Sequence, residues 1–266
     1  MSVRWLGKRR RKPVRALNEY LAAYGRREED LLDGEREQIA AADADYDTDK
    51  HWAFEIKPEE CALIVVDLQE DFVRPDGPMR VPEAYRQLPR VRTLIEACRD
   101  AGVPVLYTEH TIAPDVAHDF SAFWPPIANG AIAEGTPGAK LYHGLKPRDD
   151  ERIISAKHTY DSFAGTDLDY ALRCQGVRTL IVCGTLTNFC CESTARTGYF
   201  LGYHIVFGSD VNATDNAEAH RATLRTIRRG FGRVMDHQAI IAALNEGDSL
   251  HREAKLNTTP GHPATD

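Results

Sequence analysis

Three groups of residues stand where a nucleophile and its proton acceptor would be useful. Asp67 closes the apolar run Cys61–Val66 (CALIVV) and opens Asp67-Leu68-Gln69-Glu70-Asp71-Phe72. A carboxylate at the end of a buried strand meets desolvation and neighbours that tune its pKa. An Asp that simply caps the following turn has the same sequence. The second group, Gly184-Thr185-Leu186-Thr187-Asn188-Phe189-Cys190-Cys191-Glu192-Ser193-Thr194, joins the apolar run Thr179–Cys183 (TLIVC) to the next helical stretch. A cysteine there lies at a helix N-terminus, where the dipole and the amide N–H groups favour a thiolate and can hold a developing oxyanion. Two core cysteines opening a packed helix fit the same letters. The third is Lys157, in Ser155-Ala156-Lys157-His158. It is an ordinary surface lysine unless the fold carries it to the other two. Together, thiol, carboxylate and ammonium would support covalent catalysis: a nucleophile, a base for its proton, and a cation that lowers the thiol pKa.

The elements that must position these groups alternate along the chain. Cys61–Val66 is continuously apolar, as a strand covered on both faces requires. A helix is predicted around Tyr85–Ala101, a strand at Pro104–Tyr107, a weaker strand at Arg152–Ile154, and a helix at Leu168–Cys174. Strand Thr179–Cys183, a helix from about Cys190 to Phe200, strand His204–Phe207, a helix over 215–228, strand Arg233–Met235 and a helix near His237–Leu244 complete the pattern. Strands alternating with helices imply right-handed βαβ units, hence an α/β fold with a parallel sheet layered by helices. Ligands of such sheets bind beyond the carboxyl ends of the strands, where all three groups fall.

Charge and composition narrow the function classes. The formal net charge of −7 argues against a nucleic-acid partner. No apolar run approaches a membrane span, and Lys8–Lys12 interrupts any signal-peptide core, so a cytoplasmic protein is expected. The six cysteines form no C-x-x-C pair, which disfavours a disulfide framework and a structural zinc site. Residues 1 to about 55 read as a charged extension carrying one short amphipathic helix (Leu17, Tyr20, Leu21, Tyr24), a solvated arm or a surface for a neighbouring subunit. The domain proper is expected over 56–248, and the tail after about Leu250, with Pro260, Gly261 and Pro263, looks disordered.

The ordered set VVDLQEDF (Val65–Phe72), Lys157 followed by Ser162-Phe163, and GTLTNFCCEST (Gly184–Thr194) resembles the isochorismatase-like cysteine hydrolase superfamily across roughly residues 58–245. The resemblance implies a three-layer α/β/α, Rossmann-like fold with a six-stranded, mostly parallel sheet. It implies a triad of Asp67, Lys157 and Cys190, with Cys191 at the position usually held by a core valine. It also implies a cis peptide at Thr185–Leu186 and an oxyanion hole from the N–H groups of Leu186 and Cys190. The expected reaction is cleavage of a small amide or carbamoyl C–N bond through a thioester, in a homodimer or homotetramer.

Nicotinamidases of the superfamily carry a metal built on D-x-H. This chain reads Tyr107-Thr108-Glu109-His110-Thr111 there, so no metal and no other cofactor is expected. Isochorismatases proper cleave a vinyl ether without a nucleophilic cysteine, which the retained Cys190 opposes. A member that serves only as a scaffold is the remaining alternative. Thr187–Thr194 looks most like the ureidoacrylate and related carbamoyl-amide hydrolases. Phe72, Phe120, Phe123, Trp124, Tyr160 and Phe163 are available for a pocket wall, with His110 and His118 to orient substrate; Phe72, His110, Trp124 and Tyr160 are the residues expected to touch it. The long stretch Ile112–Leu141 is expected to be a lid or binding loop.

Overall fold

The computed structural model describes residues 13–113, 115 and 120–258. The basic cluster Lys8–Lys12, His118 and Pro260–Pro263 lie outside the described residues. The chain divides into two compact units, Met1–Thr48 and Asp49–Asp266. In the first, helices Pro13–Ala23 and Glu35–Tyr46 are joined by a small core of Leu17, Leu21 and Ile39, with Leu31 packed against it. The second of these helices, EREQIAAADADY, escapes a periodicity reading because Ile39 is its only buried residue.

The second unit is built on six parallel strands: β1 (Cys61–Val66), β2 (Val105–His110), β3 (Arg152–Lys157), β4 (Thr179–Thr185), β5 (His204–Ala213) and β6 (Arg233–Met235). Their order in the sheet is β3-β2-β1-β4-β5-β6. β1 and β4 are buried along their whole length, which is why they read as unbroken apolar runs. Cys61, Leu63 and Val65 enter a core closed by helices Pro82–Asp100 and His237–Glu246. Ala62, Ile64 and Val66 enter the opposite core, closed by helices Leu168–Cys174, Glu192–Phe200 and Ala217–Gly230. The result is three layers. From β1 the chain winds outward through β2 and β3, returns to the other side of β1 at β4, and winds outward again. The strand order therefore reverses between β1 and β4, where a crevice opens at the carboxyl ends.

Four strands outrun their apolar cores. β2 reaches His110, β3 reaches Lys157, β4 reaches Thr185, and β5 reaches Ala213 past irregularities in the β4–β5 register. Their polar ends stay in the ladder by pairing: His110 is in register with Lys157, and Thr185 with Ala213. A hydropathy run stops where side chains turn polar, but strand pairing does not.

The tail corrects the sequence expectation. Ser249–Thr258 is helical, Leu250 packs on the first core and His251 is buried. The cause is Asp248. Its carboxylate takes both guanidinium nitrogens of Arg233 on β6, and both side chains are fully buried. Asp248 also accepts the N–H groups of Ile56 (2.9 Å) and His251 (3.1 Å), while Arg233 donates to the Phe54 carbonyl (2.9 Å). Residues 49–55, placed in the extension by the sequence reading, belong to the second unit, and Phe54 is held by the edge strand through Arg233.

Candidate active site

Asp67 leaves β1 with φ at 48°, a left-handed conformation that Asp tolerates better than most side chains. The turn aims its carboxylate back over the sheet. Oδ1 accepts the Thr108 hydroxyl at 2.5 Å, and that hydroxyl accepts the Asp67 N–H at 3.2 Å. Oδ2 accepts the Lys157 ammonium at 2.6 Å, with both side chains at 0% exposure. Burial works against a charged Lys157. The Asp67 charge, then Cys190 and the hydrogen bond to Asp67, outweigh it and raise the lysine's pKa above its ordinary value.

Cys190 arrives from the other side of the strand reversal. Gly184 ends the regular part of β4 at φ 137°, where a Cβ would stand 2.0 Å from the Val66 carbonyl. The Thr185–Leu186 peptide bond is cis, and Thr187–Cys191 forms a wide helical turn that runs into helix Glu192–Phe200. Cys190 thus sits in the opening turn, where amide N–H groups lack intrahelical acceptors. Its sulfur, an Asp67 carboxylate oxygen and a His110 ring nitrogen lie within 4.8 Å of one another. The Thr194 hydroxyl, one turn further on, donates to Ser162 Oγ at 2.8 Å and accepts the Ser162 N–H at 3.1 Å. This pair ties the loop after β3 to the helix that carries the cysteine.

The sequence reading expected the helix N-terminus and Lys157 to lower the thiol pKa. Burial instead pushes it far above the ordinary thiol range; Lys157 pulls it down and Asp67 adds to the rise. Burial thus favours the protonated thiol, with the Asp67 carboxylate nearby as an acceptor. Cys191 is fully buried in the second core, among Ala195, Val182 and Phe207.

The remaining expected residues meet around one small space. Cys190, Leu186, His110 and Phe72 line an inner cavity of about 20 Å³, together with the rings of Phe120, Trp124, Tyr160 and Phe189. Those four rings, with Phe123, also line an outer pocket of about 620 Å³. They form the wall between the two spaces, latched where the Trp124 Nε1–H donates to Tyr160 Oη at 2.8 Å. The inner cavity has room for about one water molecule, so any larger occupant must part the rings. Phe163 is elsewhere, in the second core.

His110 is held by its backbone. Its N–H donates to Gln69 Oε1 (2.8 Å) and its carbonyl accepts Gln69 Nε2 (2.9 Å). The ring, 2% exposed, stands edge-on to Phe120 and Tyr160, and its Nε2 has no partner. Burial, reinforced by Lys157 and His158, holds its pKa well below the usual value and keeps it neutral.

Sequence reasoning missed Thr108, Gln69, Asp71 and Phe189. Asp71 accepts the Ile132 N–H (2.7 Å), and Gln69 also donates to the Ala139 carbonyl (2.6 Å), so both pin the Ile112–Leu141 stretch. Gln69 and Asp71 lie within the Asp67 motif, and Phe189 is the variable position before Cys190. Being interior polar or aromatic residues beside a reactive one was the available signal.

Asp67, His110 and Cys190 present donor atoms within 4.8 Å of one another, a set that a divalent cation can use. It does not fit a resident metal well. Both Asp67 oxygens are already taken, and the Lys157 ammonium faces the position a cation would fill. Glu109, the nearest counterpart to the missing aspartate, accepts Lys140 (3.1 Å) and the Leu141 N–H (3.0 Å).

The chain is similar to known proteins over much of its length. The chain is 35% identical to nicotinamidase 3 of Arabidopsis thaliana over 179 residues, 66% of this chain and 84% of that protein. It is 29% identical to a ureidoacrylate amidohydrolase of Acinetobacter baylyi over 224 residues, 76% of this chain and 91% of the relative. A cysteine hydrolase from Pseudomonas syringae pv. phaseolicola superimposes with a TM-score of 0.69 at 31% identity, covering 73% of this chain and 96% of that one. With the isochorismatase domain matched across residues 61–239, the chain belongs to the isochorismatase family of hydrolases.

Proposed function

We propose that the chain is a cysteine-dependent amidohydrolase that cleaves a small amide or N-carbamoyl C–N bond, with Cys190, Asp67 and Lys157 as its catalytic triad. One observation carries the reading: a buried thiol within 4.8 Å of a carboxylate that is itself held by a buried ammonium, at the point where the strand order reverses. In this reading the thiol proton leaves as the sulfur attacks. Asp67 accepts it, Sγ bonds to the carbonyl carbon, and the N–H groups of Leu186 and Cys190 take the developing oxyanion. Asp67 then protonates the departing amine or ammonia. Water, deprotonated by Asp67, opens the thioester and returns the thiol. Lys157 keeps Asp67 charged between steps. Thr108 and Lys157 fix the carboxylate, and Phe72, His110, Trp124 and Tyr160 would hold the substrate. No step calls for a metal. The reading includes a homo-oligomer in the cytoplasm, carried by the family resemblance.

The test is ammonia release over a panel of ureido compounds, N-carbamoyl amino acids and carboxamides. Cys190→Ala should abolish release, and Cys191→Val should retain it. A thioester adduct on the peptide containing Cys190, trapped by acid quench and mass spectrometry, is the expected intermediate. Full turnover by Cys190→Ala would refute the mechanism.

A further inference from the structure

The covering of the site has a charge pattern that the proposed chemistry does not require. The stretch from Thr111 to Ala139, whose Phe120 and Trp124 line the cavity at Cys190, contains no Lys and no Arg in its sequence; it carries Asp115, Asp119 and Glu134, with His118 its one imidazole. Lys140, the first cation after it, is engaged by Glu109 at 3.1 Å. In the loop after β1, Arg74 lies between Glu70 and Asp76. Among the described residues, neither the inner cavity nor the outer pocket is lined by a lysine or arginine. Lys157 does not line the cavity, and its charge is committed to Asp67 at 2.6 Å.

From this we infer that the site selects amides that carry no negative charge: an uncharged carboxamide or urea whose remainder is apolar or aromatic. The inference rests on the amidohydrolase reading and narrows it. A substrate carboxylate held among Phe120, Trp124, Tyr160 and Phe189 would be desolvated without a partner, a cost that hydrophobic contact does not offset. It would also be repelled by Asp67 and by the negative charge that grows on sulfur and oxygen during attack. An aromatic body instead meets rings already arranged edge to face. His110 is the polar group available to the non-reacting part. Its unpartnered Nε2, neutral in the buried site, can exchange one hydrogen bond with an amide or a ring nitrogen, and offers no charge.

Two matched experiments test this. In the first, the protein is alkylated with iodoacetamide or iodoacetate, reagents alike in size that differ by one carboxylate. Modification of the peptides containing Cys190 and Cys174 is followed by mass spectrometry. Cys174 is the exposed cysteine and serves as the reference in the same digest. The iodoacetamide-to-iodoacetate rate ratio at Cys190 is expected to exceed that at Cys174 by at least about 100-fold, as an unpaired buried charge requires. In the second, kcat/KM is compared for benzamide against 4-carbamoylbenzoate and for butyramide against succinamate. The charged member of each pair is expected to fall by at least about 100-fold. Equal ratios at the two cysteines, or charged amides cleaved as well as neutral ones, would overturn the inference. Discrimination by the alkylating reagents with no turnover of any amide would support the charge rule and refute the amidohydrolase reading instead.

Discussion

Replacing Lys157 by methionine keeps an unbranched side chain one atom shorter and removes the charge and its hydrogen bond. The pair it breaks has both members at 0% exposure and an Nζ–Oδ2 distance of 2.6 Å. What remains for the Asp67 side chain is the Thr108 hydroxyl at 2.5 Å, which carries no charge. Breaking a buried pair from one side costs about 3–5 kcal/mol, because the surviving ion has neither water nor a counter-charge. For a unit of this size that is a drop in Tm of roughly 6–20 °C. A stranded buried carboxylate takes up a proton and then cannot accept one from Cys190, so ammonia release should fall by at least about 100-fold. The companion is Asp67→Asn/Lys157→Met, which removes both charges. Urea unfolding followed by tryptophan fluorescence should find the double variant more stable than Lys157→Met by at least about 2 kcal/mol, and just as inactive. A single variant within about 1 kcal/mol of the parent would refute the ion-pair reasoning, since a buried pair cannot be broken that cheaply. So would a double variant no more stable than the single one.

Tyr160→Phe removes the acceptor of the Trp124 Nε1–H, a bond worth about 1 kcal/mol, so iodoacetamide should reach Cys190 roughly 5-fold faster; an unchanged rate would mean the rings are not a gate. His51, His110, His204 and His220 all have pKa values lowered from 6.5, with burial the leading cause. The unfolded chain therefore binds more protons than the folded one below about pH 6.5, and stability present at neutral pH is lost as pH falls. Urea midpoints should drop between pH 7 and pH 5, ahead of carboxylate titration, and His110→Gln should flatten part of that slope. Gly184→Ala sets a Cβ 2.0 Å from the Val66 carbonyl at a φ that L-residues avoid. It should cost more than about 2 kcal/mol in thermal unfolding, and an unperturbed Tm would show that the β1–β4 approach is looser than described.

Asp67 and Cys190 were legible because each follows a fully buried central strand, and such strands announce themselves as apolar runs with abrupt polar ends. Lys157 was not, because β3 is an edge strand. Its outer residues face solvent, and its last one is a buried lysine that no hydropathy pattern marks as a strand. The order of strands, which makes Asp67 and Cys190 neighbours, depends on which runs pair. That is settled by packing between residues far apart in the chain. Sequence shows the helix start and the lysine, which favour a thiolate, but not the depth of burial that opposes both. The C-terminal helix was hidden because what orders it is a single carboxylate reaching β6.

The position of β1 also bears on how the chain is made. Residues 61–66 are the most apolar strand of the protein, and half of their ladder is supplied by residues 179–184. Until that later stretch emerges from the ribosome, CALIVV has β2 on one side and an unpaired, sticky edge on the other. Slow long-range pairing of this kind lengthens the time during which nascent chains can associate with one another. Yield of soluble protein should therefore depend on synthesis rate and on chaperone supply more steeply than the stability of the finished fold would suggest.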